Sequence, residues 1–238
     1  MTVSSISSQS TPSLPLLHLM HLASPALPVG GYAYSQGLEF AIDSGLLKDR
    51  DAVADWLQGV LLNGLALLEM PIILRVYDAL NASGDAELNY WNNYLQACRE
   101  TGELLLEDTQ QGEALARLIN GLTLVELAPA KERLATVEGT PSFAIAFALA
   151  AFSFNANAEG CLQAFAYSWL ENQVAAATKL VPLGQTAAQQ LLLELLPLVD
   201  SAIAAAKRCS TDAIGVSLPG QVMASSLHEY QYSRLFRS

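Results

Sequence analysis

The chain has 238 residues, of which 52% are hydrophobic and only 15% are charged, and its formal net charge is -11. This acidic balance argues against nucleic acid and anionic lipid as partners, because both bind basic surfaces, and it suits a basic protein partner or a cation. The length allows one large domain or two small ones with a sizeable core. The low charge content predicts both a large core and apolar surface reserved for partners.

Residues 1–13 form a polar, Ser-rich stretch without the positively charged start of a secretory signal, and we expect them to be a disordered tail. The cysteines are Cys98, Cys161 and Cys209, which are widely separated and odd in number. This spacing matches neither a disulfide framework nor a metal knuckle, so free thiols in a reducing compartment are expected. We therefore predict a cytoplasmic protein.

A short helix with apolar residues nearly all round is predicted for residues 14–23. His18 and His21 lie three residues apart on one face, and this spacing can place two imidazoles on a metal ion. No third ligand is close in sequence, and two histidines on a Leu-rich helix are also typical of simple packing.

Residues 24–39, SPALPVGGYAYSQGLE, concentrate prolines and glycines between apolar segments. Pro25 and Pro28 fix their own φ, whereas Gly30 and Gly31 allow positive φ or a close backbone approach. The stretch is predicted to be an ordered, irregular elbow. Ser35 is predicted to cap a helix that runs to about Ser44.

After the elbow, Asp49 or Asp51 opens a long helical pattern that is predicted to end or kink at Pro71. The uncharged stretch 139–158 has a strongly apolar part of only twelve residues, 143–154, which is too short to cross a bilayer and predicts a buried core helix. Further helical patterns cover 72–80, 86–98, 99–120 and 160–208, the last with a break at Pro182 and Gly184. No convincing strand alternation is present. The sequence predicts an all-α, single-domain helical bundle of about nine or ten helices over residues 14–227.

Four carboxylates lie close together in one of these helical patterns: Glu103, Glu107, Asp108 and Glu113. Such a cluster can hold a metal ion or supply acid–base chemistry. It is also typical of an ordinary solvated acidic face, with Arg99 and Arg117 placed to offset part of the charge.

The C-terminal segment, residues 228–238, combines aromatic and basic side chains of the kind that anchor interfaces, although a chain terminus can equally be frayed. It follows a turn at Pro219 and Gly220 and is too short to build a core of its own. We expect it to be loose in the free protein and to become ordered on a partner.

Phosphate loops, dinucleotide fingerprints, the GxSxG and HExxH motifs and CxxC pairs are all missing from the sequence. The main hypothesis is therefore a non-catalytic interaction protein without a cofactor or metal. The alternative is a helical enzyme or ligand-binding protein that uses His18, His21 and the acidic cluster as a metal site.

Four blocks in order carry a family resemblance: SPALPVGGYAYSQGLE at 24–39, RETGELLLEDTQQG at 99–112, YSWLENQVAAATKLVPLGQTAAQ at 167–189 and HEYQYSRLFRS at 228–238. With these blocks the chain resembles the UreF family of urease accessory proteins over nearly its whole length after the N-terminal tail. The resemblance implies an all-helical, cytoplasmic, homodimeric adaptor. Its partners would be a UreD/UreH-type scaffold and the UreG GTPase, in a complex that inserts nickel into apo-urease.

The resemblance also implies partner-binding residues within these blocks. They are Tyr32, Tyr34, Glu39, Arg99, Glu171, Lys179, Tyr230, Tyr232, Arg234, Leu235, Phe236 and Arg237. Lys179 is predicted to be exposed, either facing a partner or pairing with a nearby carboxylate. The Ala-rich faces at 144–151 and 175–177 are predicted to leave apolar area that a homodimer covers.

Overall fold

The computed structural model describes residues 14–82 and 84–238, so the tail predicted at 1–13 lies outside the described residues. In those two ranges the secondary structure consists of α-helices and short 3-10 turns, without a strand. The helices are α1 (Leu14–Leu22), α2 (Leu38–Asp43), α3 (Arg50–Asn63), α4 (Glu69–Ala82), α5 (Asp85–Ala97), α6 (Gly102–Gly121), α7 (Ala128–Leu134), α8 (Phe143–Ser153), α9 (Ala158–Leu180), α10 (Gln185–Leu195), α11 (Leu198–Arg208) and α12 (Pro219–His228).

Two pairs of these segments belong to longer helical runs, α3 with α4 in Arg50–Ala82 and α10 with α11 in Gln185–Arg208. With each run counted as one, the described part of the chain contains ten helices around a single hydrophobic core. The prediction of an all-α, single-domain bundle is confirmed.

Helix α8 lies at the centre of this core and packs against α4, α6, α7 and α9. Nine of its residues are buried, including the whole of 144–151, which confirms the prediction of a buried core helix. Because that alanine face is used inside the fold, it cannot be surface for a homodimer, and this part of the homodimer argument was wrong. In the second Ala-rich face, Ala176 and Ala177 are also buried and only Ala175 is exposed.

The predicted break in the long helix falls before Pro71 rather than at it. Asp49 caps the start of α3 by accepting a hydrogen bond from the Ala52 N–H. The helix ends at Asn63, and a 3-10 turn at Leu65–Leu67 leads into α4. Pro71 then lies in the first turn of α4, where a missing N–H costs no intrahelical hydrogen bond. The proline therefore continues the helix instead of ending it.

The two long runs, Arg50–Ala82 and Gln185–Arg208, are long and apolar enough to cross a membrane by length and composition alone. In the first run, 61% of the most apolar window is buried inside the fold. Met70, Ile72 and Ile73 from this run are fully buried in the core. Such burial is what a core helix requires, and length and composition are weak evidence for a membrane span.

The elbow at 24–39 is ordered and irregular, as predicted. Gly30 and Gly37 adopt φ values of +78° and +83°, which glycine reaches without steric cost. Gly31 lies so close to α9 that a Cβ atom there would be 2.8 Å from Asn172 Nδ2. The elbow consequently brings residues 35–39 into the interior beside α6, α9 and α12.

Candidate functional site

Ser35 and Glu39, at the end of the elbow, are both buried. The Ser35 hydroxyl donates to the main-chain oxygen of Ser238 at 2.6 Å and accepts from the Glu39 N–H at 3.3 Å. The Ser35 N–H also donates to the same Ser238 oxygen at 2.6 Å. Helix α2 begins at Leu38 with Gly37 at its N-cap position, so Ser35 is not the N-cap residue as predicted, although its hydroxyl still accepts the Glu39 N–H of the first turn.

The C-terminal segment, residues 228–238, is docked on the protein's own elbow. The Leu235 and Phe236 N–H groups donate to the Glu39 carboxylate at 2.7 and 2.9 Å, and the Arg237 N–H donates to the Ala33 carbonyl at 2.8 Å. Phe236 and Ser238 are buried. The expectation of a loose segment in the free protein was wrong, because the elbow supplies buried acceptors that the sequence pattern of the segment does not reveal.

His228, at the end of α12, is completely buried between two carboxylates from different helices. Its Nε2 lies 3.0 Å from Glu39 Oε2 on α2, and its Nδ1 lies 2.8 Å from Glu103 Oε2 on α6. The other Glu103 oxygen accepts from Arg234 Nη1 at 2.8 Å. These four side chains form a continuous network, which we call the carboxylate–histidine cluster.

Glu107 lies one turn further along α6 and holds the end of the C-terminal segment. Its Oε2 accepts from the Ser238 hydroxyl at 3.0 Å, and its Oε1 accepts from Gln36 Nε2 and Gln111 Nε2 at 2.9 and 3.0 Å. Burial raises the pKa of Glu107 to about 7, although the hydrogen bonds from Gln36 and Ser238 oppose this rise. Glu107 is therefore a buried carboxyl that titrates near neutral pH.

Arg99 forms a second buried charge group with Glu69 at 2.6 Å and Asp108 at 3.3 Å. Asp108 Oδ1 also accepts from the Phe143 N–H at 3.0 Å and so anchors the start of α8. These buried ion pairs and this hydrogen bond hold neighbouring helices together.

The acidic cluster is not a solvated face, since Glu103, Glu107 and Asp108 are buried. Only Glu113 is exposed, and it pairs with Arg117 at 3.0 Å. The two arginines offset acidic charge as predicted, but Arg99 does so in the interior.

The alternative metal site finds no support in the geometry. His18 is half-buried and stacks on Phe154 with ring centroids 3.9 Å apart, whereas His21 points to the surface. Among the described residues, no group of three or more His, Cys, Asp or Glu side chains is arranged to hold a metal ion. Both ring nitrogens of His228 face carboxylate oxygens and serve hydrogen bonding.

The residues predicted to bind partners divide into a surface set and an interior set. The exposed ones are Tyr32, Lys179, Tyr230, Tyr232, Arg234, Leu235 and Arg237, and Glu171 is half-buried. The interior ones are Tyr34, Glu39, Phe236 and, with a side chain only 13% exposed, Arg99. Tyr34 donates to Gln110 Oε1 at 2.6 Å. The interior set holds the elbow, α6 and the C-terminal segment together and is closed to a partner in this arrangement.

Sequence reasoning missed His228 as a site residue, whereas it considered Glu103 and Glu107 only within the acidic cluster, as metal or acid–base candidates or as a solvated face. One signal was available: Glu103, Glu107 and Gln111 are spaced four apart and share one helix face, which turns inward. No comparable signal marks His228, because its burial depends on where α12 meets α2 and α6.

Comparison with known proteins identifies the family. The UreF family model matches residues 47–196. A protein of Teredinibacter turnerae is 50% identical over 215 residues, which cover 90% of this chain and 95% of that protein. The chain belongs to the UreF family.

Other relatives agree with this UreF assignment. A Hahella chejuensis protein is 46% identical, with 90% of this chain and 94% of the relative covered, and a Nitrosococcus oceani protein is 42% identical, with 91% and 96% covered. These two and the Teredinibacter turnerae protein carry the name urease accessory protein UreF. Glu103 and Glu107 of this UreF chain lie inside the range matched by the family model, whereas Glu39 and His228 lie outside it.

Proposed function

We propose that this protein is a non-catalytic accessory protein of urease maturation, acting in the cytoplasm as an adaptor without a cofactor of its own. It joins a UreD/UreH-type scaffold to the UreG GTPase, and the assembled complex inserts nickel into apo-urease. The observation that carries this proposal is membership of the UreF family. The relatives are named urease accessory proteins, and the similarity covers almost their whole length.

The C-terminal segment supplies a surface suited to a protein partner. Tyr230, Tyr232 and Leu235 expose 83%, 105% and 72% of their surface, and Arg234 and Arg237 add cations to an acidic chain. The docked backbone presents these side chains without the entropy cost of ordering a flexible tail on binding. Aromatic and arginine side chains in this arrangement favour a partner with an acidic, partly apolar face.

Exposed apolar side chains also lie on the two helices next to this segment. They are Leu105 and Leu106 on α6, and Met223 and Leu227 on α12, and the two helices pack against each other. Exposed apolar side chains on neighbouring helices favour a protein–protein interface. We assign the scaffold contact to the face formed by α6, α12 and the C-terminal segment.

Co-purification with the urease accessory proteins tests this assignment. We expect Tyr232→Ala and Leu235→Ala each to weaken binding of the scaffold by about 10-fold or more, the effect of losing an interface anchor. The matched control is Tyr90→Ala on α5, which removes another exposed tyrosine away from this face. Unchanged scaffold binding and urease activation in both tail variants would refute the assignment.

Lys179 is exposed, and its ammonium lies 5.2 Å from the centroid of the Phe236 ring. This contact adds a role that the sequence did not indicate, a cation–π contact that steadies the C-terminal segment. We expect Lys179→Ala to weaken GTPase binding or nickel loading while helix content stays unchanged. A variant with normal partner affinity and normal urease activation would leave Lys179 with the packing role alone.

The homodimer is also part of this proposal, and the exposed apolar residues of α1 are the surface that supports it. Leu14, Leu16, Leu17 and Met20 are each at least half exposed. Of these, Leu16 and Met20 line an apolar groove together with residues of α9. Light scattering at tens of micromolar should report a dimer, and Met20→Glu should shift it towards monomer. Val125→Glu, at an exposed site on another face, is the control. A monodisperse wild-type monomer would contradict the dimer.

A further inference from the structure

A polar cavity of about 50 Å³ lies in the interior between the elbow, α4, α6, α8 and α9. This volume accommodates roughly one or two water-sized guests. Among the described residues that line the cavity, three carry carboxyl groups, Glu69, Glu107 and Asp108, and Arg99 alone is cationic. All the lining residues lie outside the C-terminal segment, and the cavity belongs to the helical body of the protein.

Arg99 is shared between two of these carboxylates. Its Nη1 lies 2.6 Å from Glu69 Oε1, and its Nη2 lies 3.3 Å from Asp108 Oδ1. The Arg99 side chain is only 13% exposed, and Asp108 is 5% exposed. One guanidinium group balances one carboxylate, so with both carboxylates ionised this buried group carries an excess negative charge. An uncompensated buried charge is strongly destabilising, and this one therefore favours a bound counter-charge.

Two polar atoms of the same group have no hydrogen-bond partner among the described residues, Asp108 Oδ2 and Arg99 Nε. The other Asp108 oxygen is fully used, since it also accepts the Phe143 N–H at 3.0 Å. A free carboxylate oxygen in a polar cavity can bind a cation, whereas the Arg99 N–H can donate to a water molecule beside it. Buried polar groups without protein partners indicate that a guest occupies the cavity in solution.

Neutral side-chain oxygens are available to complete the coordination of a cation at Asp108. The buried amides of Gln111 and Gln173 line the cavity, and so do the Asn172 amide and the Ser168 hydroxyl. Neutral oxygens of this kind replace the hydration shell around K⁺ in ion-selective sites. One carboxylate oxygen with neutral oxygens suits a monovalent alkali cation, whereas transition metals prefer imidazole and thiolate ligands.

We propose that the cavity binds one alkali cation, Na⁺ or K⁺, between Asp108 Oδ2 and the side-chain oxygens of Gln111 and Gln173. The cation neutralises the excess charge beside Arg99 and thereby stabilises the junction of α6, α8 and α9. Glu107 is the third carboxyl group of the cavity, and burial raises its pKa to about 7. At pH 6 it is mostly protonated and adds no further charge.

The test is thermal unfolding of the isolated full-length chain at pH 6 in NaCl, in KCl and in choline chloride. Choline is too large for a cavity of about 50 Å³. The ionic strength is held at about 0.15 M, so that the screening of surface charges is the same. We expect NaCl or KCl to raise the melting temperature by about 3–6 °C, the shift for a ligand at roughly ten times its dissociation constant. Equal melting temperatures in the three salts would overturn the proposal.

Variants separate the cavity from ions bound at the surface. Asp108→Asn removes the excess charge and the free carboxylate oxygen, so its melting temperature should not depend on the cation. Glu113→Gln is the matched control, because it removes an exposed carboxylate from the same helix and should keep the wild-type dependence. A cation-dependent shift that persists in Asp108→Asn would overturn the proposal.

If Asp108→Asn does not fold, Gln173→Met decides. Methionine keeps the length of the side chain but has no oxygen to bind the cation. This variant should need about 10-fold more Na⁺ or K⁺ for the same shift in melting temperature. An unchanged concentration dependence would overturn the proposal.

Discussion

Glu107 shows how a single residue in a surface-like sequence becomes part of the interior. Its neighbours on α6 include exposed leucines, Leu105 and Leu106, and the local pattern is acidic. The sequence gives the helix and the four-residue spacing to Glu103, but a carboxylate is rarely buried without a partner. The partners here are Gln36 and Ser238, which lie 71 and 131 residues away, so the burial of Glu107 could not be predicted from local sequence.

Replacing Glu107 by Gln should stabilise the protein at alkaline pH. The pKa is raised to about 7 in the folded state from an ordinary value of 4.5, so the folded state binds more protons between these values. Stability of the wild type therefore falls as pH rises from about 4.5 to 7 and keeps this penalty above 7. Glu107→Gln removes the penalty, on the order of 2–3 kcal/mol at pH 8. Its hydrogen-bond partners can remain, because Ser238 can accept from the new amide.

Urea unfolding of both proteins at pH 5 and pH 8 measures this difference. We expect Glu107→Gln to be more stable than the wild type at pH 8. The difference in their free energies of unfolding should be much smaller at pH 5. A gap of equal size at both values would show that the effect does not come from titration of Glu107.

At the scale of elements, the closest packing in the core is between α6 and α8. A Cβ atom on Gly112 of α6 would lie 1.9 Å from the Pro141 carbonyl oxygen, just before α8. The helical patterns of both elements were predicted from the sequence. Their close approach was not, because Gly112 in a helix reads only as a weak helix former until the neighbouring chain is known. The same limit applies at Pro71, whose effect depended on whether it falls inside a helix or in its first turn.

Gly112→Ala should therefore destabilise the protein although alanine favours helix. The added methyl group must push α8 away from α6, and overpacking of a core costs about 1–3 kcal/mol or more. Gly59→Ala in α3 is the matched control, since no heavy atom outside the adjacent helix backbone lies within 4 Å of its Cβ position. There alanine should stabilise by roughly 0.5–1 kcal/mol. Melting temperatures that shift in the same direction for both variants, relative to the wild type, would contradict the packing argument.

For the whole molecule, the C-terminal segment is part of the folded body. Deleting residues 229–238 removes the buried Phe236 and leaves Glu39, Glu103 and Glu107 without partners that the structure provides. Loss of one buried aromatic side chain alone costs about 3–5 kcal/mol in a core. We expect the melting temperature to fall by roughly 6–20 °C, at about 2–4 °C per kcal/mol for a chain of this size.

Calorimetry of the truncated protein beside Tyr232→Ala checks this expectation. Replacement of the fully exposed Tyr232 should leave the melting temperature unchanged, although we expect both variants to bind the proposed scaffold more weakly. A truncated protein that melts with the wild type would show that the segment contributes nothing to the fold.

The docked segment also has a consequence for synthesis of the chain. Ser35 binds Ser238 across 203 positions, and Glu39 binds His228 across 189. The ribosome makes Ser35 and Glu39 first, and at about 5–20 residues per second these residues wait many seconds for their C-terminal partners. A nascent chain that has not reached residue 228 thus leaves Glu39 and Glu103 without the partners described for them and Glu107 without Ser238. Quality-control proteases could use these unpaired buried groups to distinguish an unfinished chain from a folded one.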